Sequence, residues 1–194
     1  MIKDLVSVVM PTYNDAKYLK AAIDDILNQT YSNFELIAVN DGSTDETTEI
    51  LESYAERDSR IRIFHKENGG TGSALNYGFN QARGEFGTWI SSDDNKQPNY
   101  LEVLVGVLVK NRDIEFCCST FHSSYFKKTF KPFHFNQTTN KFEFCNGLTH
   151  DGTLTDKVFI TDDWAKVNNI QCSQGVCFLF TMRLMDRVGD YIEI

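Results

Sequence analysis

What this 194-residue sequence lacks narrows its chemistry before any motif is read. No apolar run approaches the roughly 20 residues that a helix needs to cross a bilayer. The opening "MIKDLVSVVM" is too short an apolar stretch for a secretory signal and meets Pro11, so a cytoplasmic protein is expected. The five cysteines (Cys117, Cys118, Cys145, Cys172, Cys177) are odd in number and form no C-x-x-C pair, and the four histidines are scattered. That usage argues against a zinc site and against a disulfide framework, and for reduced, buried thiols. Basic residues are scarce, 19 against 27 acidic, for a net charge of −8. Such a surface does not attract nucleic acid or anionic lipid, and a phosphate ligand would need local chemistry to overcome the field. Glycine is missing from the first strand-to-helix turn, "PTYN", which removes a dinucleotide fingerprint, and "NGGTG" lacks the G-K-[ST] ending of a P-loop.

What is present reads as one soluble domain, with 41% hydrophobic and 24% charged residues and neither repeat nor linker. Val6 to Met10 predicts a short strand stopped by Pro11. Asn14 or Asp15 then caps a helix with Leu19, Ala22, Ile23, Ile26 and Leu27 on one stripe. Phe34 to Val39 is a second strand, followed by "NDGSTDE", where Ser43 and Glu46 stand in the relation of a capping box. Ile61 to Phe64, Phe86 to Ile90 and Ile114 to Thr120 continue the alternation of strand and helix. The fold class expected is α/β: a mainly parallel sheet with helices on both faces, plus a smaller antiparallel or irregular C-terminal part. From about Phe121 the chain turns dense in aromatics, lysines and amides, then "CSQGVCFLFTMRLMDRVGDYIEI" predicts a buried strand and a short helix. We therefore read 1–120 and 121–194 as two parts of one domain.

In a parallel sheet of this kind ligands bind at the carboxyl ends of the strands. "PTYND", "NDGSTD", "KENGGTG" and "SSDDN" all follow strands, so they should gather along one edge. Asp93 and Asp94 are adjacent carboxylates there, suited to a hard divalent cation with open positions for phosphate oxygens. The competing reading makes Asp93, Asp94 or Asn95 the N-cap of a helix opening near Pro98. Asp41 is suited to accept a ring N–H of a nucleobase, or to fix the turn before Ser43. Tyr13 is placed to stack on a base.

Taken together, "VSVVMPTYND", "ILNQTYSNFELIAVNDGSTDET", "NGGTGSALNYGFNQARGEF" and "WISSDDN" resemble the family 2 glycosyltransferases of the GT-A fold. The resemblance covers residues 4 to 120 closely and the "CSQGVCFLFTMRLMDRVGDY" stretch more loosely. It implies a metal-dependent, inverting transfer from a nucleotide-sugar donor, a UDP-sugar first, to the hydroxyl of a saccharide, lipid-linked or protein acceptor. Donor binding is implied for Pro11, Thr12, Tyr13, Asp15, Asp41, Asn68, Gly70, Ser92 and Asp93, with Ala74, Asn76 and Gly78 in the helix that follows. "SSDD" resembles the D-x-D motif, so Asp93 and Asp94 are the expected ligands of Mn²⁺ or Mg²⁺, with Ser91 where the usual first aspartate stands. The acidic residue that serves such enzymes as general base commonly follows a segment like "VGDYIE". Here Asp190 and Glu193, with Asp151, Asp162 and Asp163, are the remaining candidates, and none matches the motif. A non-catalytic sugar-nucleotide-binding or interaction domain is the alternative. Relatives that build surface polysaccharide suggest a peripheral association with a membrane assembly.

Overall fold

Alternation with a period of two sends Val6, Val8 and Met10 of the first strand to one side of a sheet and Val9 to the other. The computed structural model describes residues 1–94, 96–118 and 178–188, and strand segments at 121–123, 128–130, 133–136, 141–145 and 157–161. Side chains are described for 1–94, 96–117 and 178–186. The elements are β1 (Ile2–Thr12), α1 (Ala16–Leu27), β2 (Phe34–Asn40), α2 (Thr47–Ala55), β3 (Ile61–His65), α3 (Gly70–Asn80), β4 (Gly84–Trp89), α4 (Tyr100–Lys110) and β5 (Ile114–Cys118). After these come β6 (Phe121–Ser123), β7 (Lys128–Phe130), β8 (Phe133–Asn136), β9 (Lys141–Cys145), β10 (Lys157–Thr161), β11 (Phe178–Thr181) and α5 (Met182–Val188).

Nine strands form one sheet in the order β10-β9-β8-β5-β11-β4-β1-β2-β3, and β6 and β7 pair separately. The β4-β1-β2-β3 portion is parallel throughout. β11 enters antiparallel between β4 and β5, and β8, β9 and β10 continue antiparallel beyond β5. The expected α/β class therefore holds, with the antiparallel part growing from the β5 side. β5 is not the direct neighbour of β4, because a strand from the end of the chain separates them.

One face of the sheet packs against α1, α2 and α4, through residues such as Leu19, Ile23, Leu51, Leu101 and Leu108. The other carries α3 and α5 through Ala74, Leu75, Phe79 and Leu184. Every residue of β2 is buried, as a strand covered on both faces requires. α3 lies close against the sheet at Gly78: a Cβ there would stand 2.4 Å from Val9 Cγ1.

Three local expectations are corrected. β1 runs through Pro11, opposite Val39, instead of stopping before it. Its pairing with β4 ends at Val9 and Trp89, so Pro11 has a strand neighbour on one side only and its missing N–H is tolerated. The Ser43–Glu46 capping box does not form: α2 opens at Thr47 with no cap bond from the side chain of its N-cap Glu46, and the Ser43 hydroxyl accepts the N–H of Asn14 instead. At α4 the N-cap is Asn99, so Asp93 and Asp94 lie upstream of the helix start and do not cap it.

Candidate active site

The four parallel strands end together. Asp41 N–H donates to Thr12 O at 2.9 Å, Lys66 N–H to Asn40 O at 3.0 Å, and Ile90 N–H to Val9 O at 2.9 Å. These bonds set the loops after β1, β2, β3 and β4 side by side along one sheet edge.

The first two loops are stitched to each other by short polar side chains. Asn14, at φ 55°, accepts Thr44 N–H through its Oδ1 at 2.8 Å and donates its own N–H to Ser43 Oγ. Asp45 accepts Ala16 N–H at 3.1 Å and Thr47 N–H at 3.1 Å, and so serves the open N-termini of α1 and α2 at once. Desolvation works against the Asp45 charge, but the hydrogen bonds from Thr47 and from the Ala16 amide outweigh it and hold the carboxyl below its ordinary value. Asp15 Oδ2 accepts Tyr13 N–H, and its own N–H donates to Thr47 Oγ1. Tyr13 itself projects to solvent, 49% exposed, while Thr12 is buried with its hydroxyl on Val39 O.

Asp41 is a buried carboxylate aimed at the start of α3. Its Oδ1 accepts Lys66 Nζ at 2.6 Å and Gly69 N–H at 3.1 Å, and its Oδ2 accepts Gly70 N–H at 2.8 Å and Gly69 N–H at 3.2 Å. An anion at a helix N-terminus beside an ammonium is electrostatically favoured twice over. Gly70 takes φ +84°, a left-handed conformation that glycine adopts without strain, and its N–H donates to Asp41. Asn68 and Gly70 are exposed at the same corner.

Beyond β4, Ser92 is buried, Asp93 is exposed and Asp94 is partly buried. Ser91 Oγ donates to Asp93 Oδ1, and Lys96 Nζ approaches Asp94 Oδ2 at 3.4 Å. Just below, the chain is bolted to α1. Asp25 Oδ2 accepts Lys96 N–H, and buried Gln29 donates to Gln97 O at 2.8 Å while accepting Leu101 N–H at 3.0 Å.

The glycosyl transferase family 2 model matches residues 7–180. The chain belongs to that family. An uncharacterized glycosyltransferase of Rickettsia typhi is 46% identical over 132 residues, a match covering 64% of this chain and 41% of that protein. The chain thus spans under half the length of the curated relatives it matches. Among solved structures, S. aureus TarS in complex with UDP-GlcNAc superimposes with a TM-score of 0.54 at 30% identity, over 57% of this chain and 32% of that one. A mannosyltransferase from Pyrobaculum calidifontis, solved with GDP-Man and Mn²⁺, shares the fold at a TM-score of 0.51 and 24% identity, over 57% of this chain and 34% of that one. The GT-A arrangement that the motifs implied is the arrangement observed.

In this family 2 domain the structure brings Tyr13, Asp15, Asp41, Asn68, Gly70, Ser92, Asp93 and Asp94 to one strand-end edge. Asp151, Asp162, Asp163, Asp190 and Glu193 lie outside the described residues, as do 124–127, 131–132, 137–140, 146–147 and every side chain of 121–147. Among the described residues no group of three or more His, Cys, Asp or Glu side chains could hold a metal ion. Two carboxylates at a loop still fit Mg²⁺ or Mn²⁺, because such ions are commonly held by one or two protein carboxylates with substrate phosphates completing the shell. Asp25, Gln29, Asp45, Lys66 and Lys96 are residues that the motif reading passed over. Asp45 and Lys66 lie within the clusters "NDGSTD" and "KENGGTG", but nothing in the sequence says which loop is joined to which.

Proposed function

We propose that this chain carries the donor site of a glycosyltransferase that moves a sugar from a nucleotide-sugar, UDP-linked by preference, to an acceptor hydroxyl with inversion. The observation that carries this reading is the shared edge: an exposed aromatic, a buried carboxylate and an acidic pair follow three adjacent parallel strands. Tyr13 offers a face on which a base stacks. Asp41 accepts the ring N–H of uracil. Its four contacts fill about the acceptor capacity of a carboxylate. A base N–H therefore takes the place of the Gly69 contact, which is split between both oxygens and is the weakest of them.

Asp93 and Asp94 hold Mn²⁺ or Mg²⁺, whose chemistry there is to offset charge on the diphosphate as the anomeric bond breaks. Ser91 fixes the Asp93 carboxylate through its hydroxyl in place of the acidic residue usual at that position. The 1–120 part then supplies donor binding, and the 121–194 part contributes to the acceptor side.

Calorimetric titration with UDP, with GDP as control, tests this with and without Mn²⁺. UDP binding that Mn²⁺ strengthens, and that folded Asp93→Asn loses by about tenfold or more, supports the reading. Failure of folded wild-type chain to bind either nucleotide under any condition sinks it.

A further inference from the structure

Lys96 is a charged side chain that the donor reading leaves without a task. Only 4% of it is exposed, yet among the described residues its ammonium pairs with one carboxylate, Asp94, at 3.4 Å. That is longer than the roughly 2.7–2.9 Å of a tight charge-assisted bond. The Tyr100 ring adds a weak cation–π contact, its centroid 5.9 Å from Nζ. A buried ammonium is costly unless paired, and its three donors are only loosely used here. The backbone cannot easily swing it out, because Lys96 N–H is held by Asp25 and the neighbouring Gln97 and Pro98 carbonyls are held by Gln29 and by Thr30 N–H. Asp93 has a different partner, the Ser91 hydroxyl, and faces solvent.

We propose that Lys96 is a resident counter-cation for Asp94, which competes with a divalent ion at the acidic pair and so sets a low metal affinity in this chain. The inference rests on the metal reading of the loop proposed above. Any ion that engages both carboxylates must share Asp94 with an ammonium already fixed beside it, and the two like charges repel across a site of reduced dielectric. The adjacent aspartates are thereby made unequal. Asp93 is free to meet an incoming ion, and Asp94 answers first to Lys96.

The test is Mn²⁺ titration followed by electron paramagnetic resonance, on the whole chain, without nucleotide. Lys96→Met keeps the length of the side chain and removes its charge, and Lys96→Gln does so with a polar end. Either folded variant should bind Mn²⁺ roughly tenfold more tightly than wild type, and Asp94→Asn should weaken binding less than Asp93→Asn. Unchanged or weaker Mn²⁺ binding in a folded Lys96 variant overturns the proposal, as does the absence of Mn²⁺ binding from wild type and both variants. Collapse of both Lys96 variants also overturns it, since the residue would then serve folding alone. A UDP titration run alongside separates the two ideas. Tighter Mn²⁺ binding in the variants with no UDP binding anywhere upholds Lys96 while removing the donor reading.

Discussion

Glu35 shows what a single carboxylate does in the described part of this molecule. Its side chain is 2% exposed at the start of β2 and accepts Ser7 Oγ at 2.7 Å, Arg83 N–H at 2.8 Å, Arg83 Nε at 2.9 Å and Arg62 Nη1 at 2.9 Å. Burial pushes its pKa up, but these donors together outweigh burial and hold it below its ordinary 4.5. A carboxyl depressed in the folded state contributes stability above its unfolded value and loses it as pH falls through the lowered one. Glu35→Gln should therefore cost about 1–3 kcal/mol near pH 7 and progressively less in acid below the ordinary value. Urea unfolding of both proteins at about pH 7 and about pH 3.5 checks this, and an equal gap at both would contradict it. Residues like this one were illegible in the sequence. Asp41, Asp93 and Asp94 could be read because acidic residues directly after apolar strands are unusual and locally visible. Glu35, Gln29 and Lys96 find their partners far along the chain, at Arg83, Leu101 and Asp25, and periodicity carries no information about such pairings.

At the scale of elements, Gln29 joins the end of α1 to the loop that carries the acidic pair and to the opening of α4. It is 6% exposed, and each half of its amide is in use: Nε2 donates to Asp25 O and Gln97 O, and Oε1 accepts Leu101 N–H. Gln29→Leu should leave Gln97 O and Leu101 N–H without that partner and destabilise the fold by about 2–3 kcal/mol. Hydrogen exchange should show faster exchange at Leu101 than elsewhere in α4, and uniform exchange across the helix would count against the role given to Gln29. The stripes of α1, α2 and α4 were legible because the 3.6-residue period survives into the packed helices. Helix starts were legible only in part: α1 opens after Asp15, one of the two expected positions, though without a side-chain cap bond. Ser43–Glu46 has the spacing of a capping box, yet Asn14 captures the serine hydroxyl from the neighbouring loop, so a tertiary bond wins over the local one.

Over the whole molecule, the parallel donor-side strands are completed by a strand from near the end of the chain. β11 lies between β4 and β5, with Phe180 opposite both Gly87 and Phe116. Phe180 and Leu184 also belong to the core on the α3 face. A chain ended after residue 177 should lose that central strand, and with it a single cooperative unfolding transition; a sharp transition of undiminished amplitude by circular dichroism would refute this. A buried strand was foreseen in this segment from its apolar run, but its neighbours were not, since antiparallel insertion depends on contacts that no local pattern specifies. There is a consequence for synthesis on the ribosome. Between the emergence of β5 and that of β11, β4 and β5 lack the strand that pairs with both, so each offers an open edge to other chains. The hazard is one of timing, and it ends only when Phe178 to Thr181 clears the exit tunnel and closes the sheet.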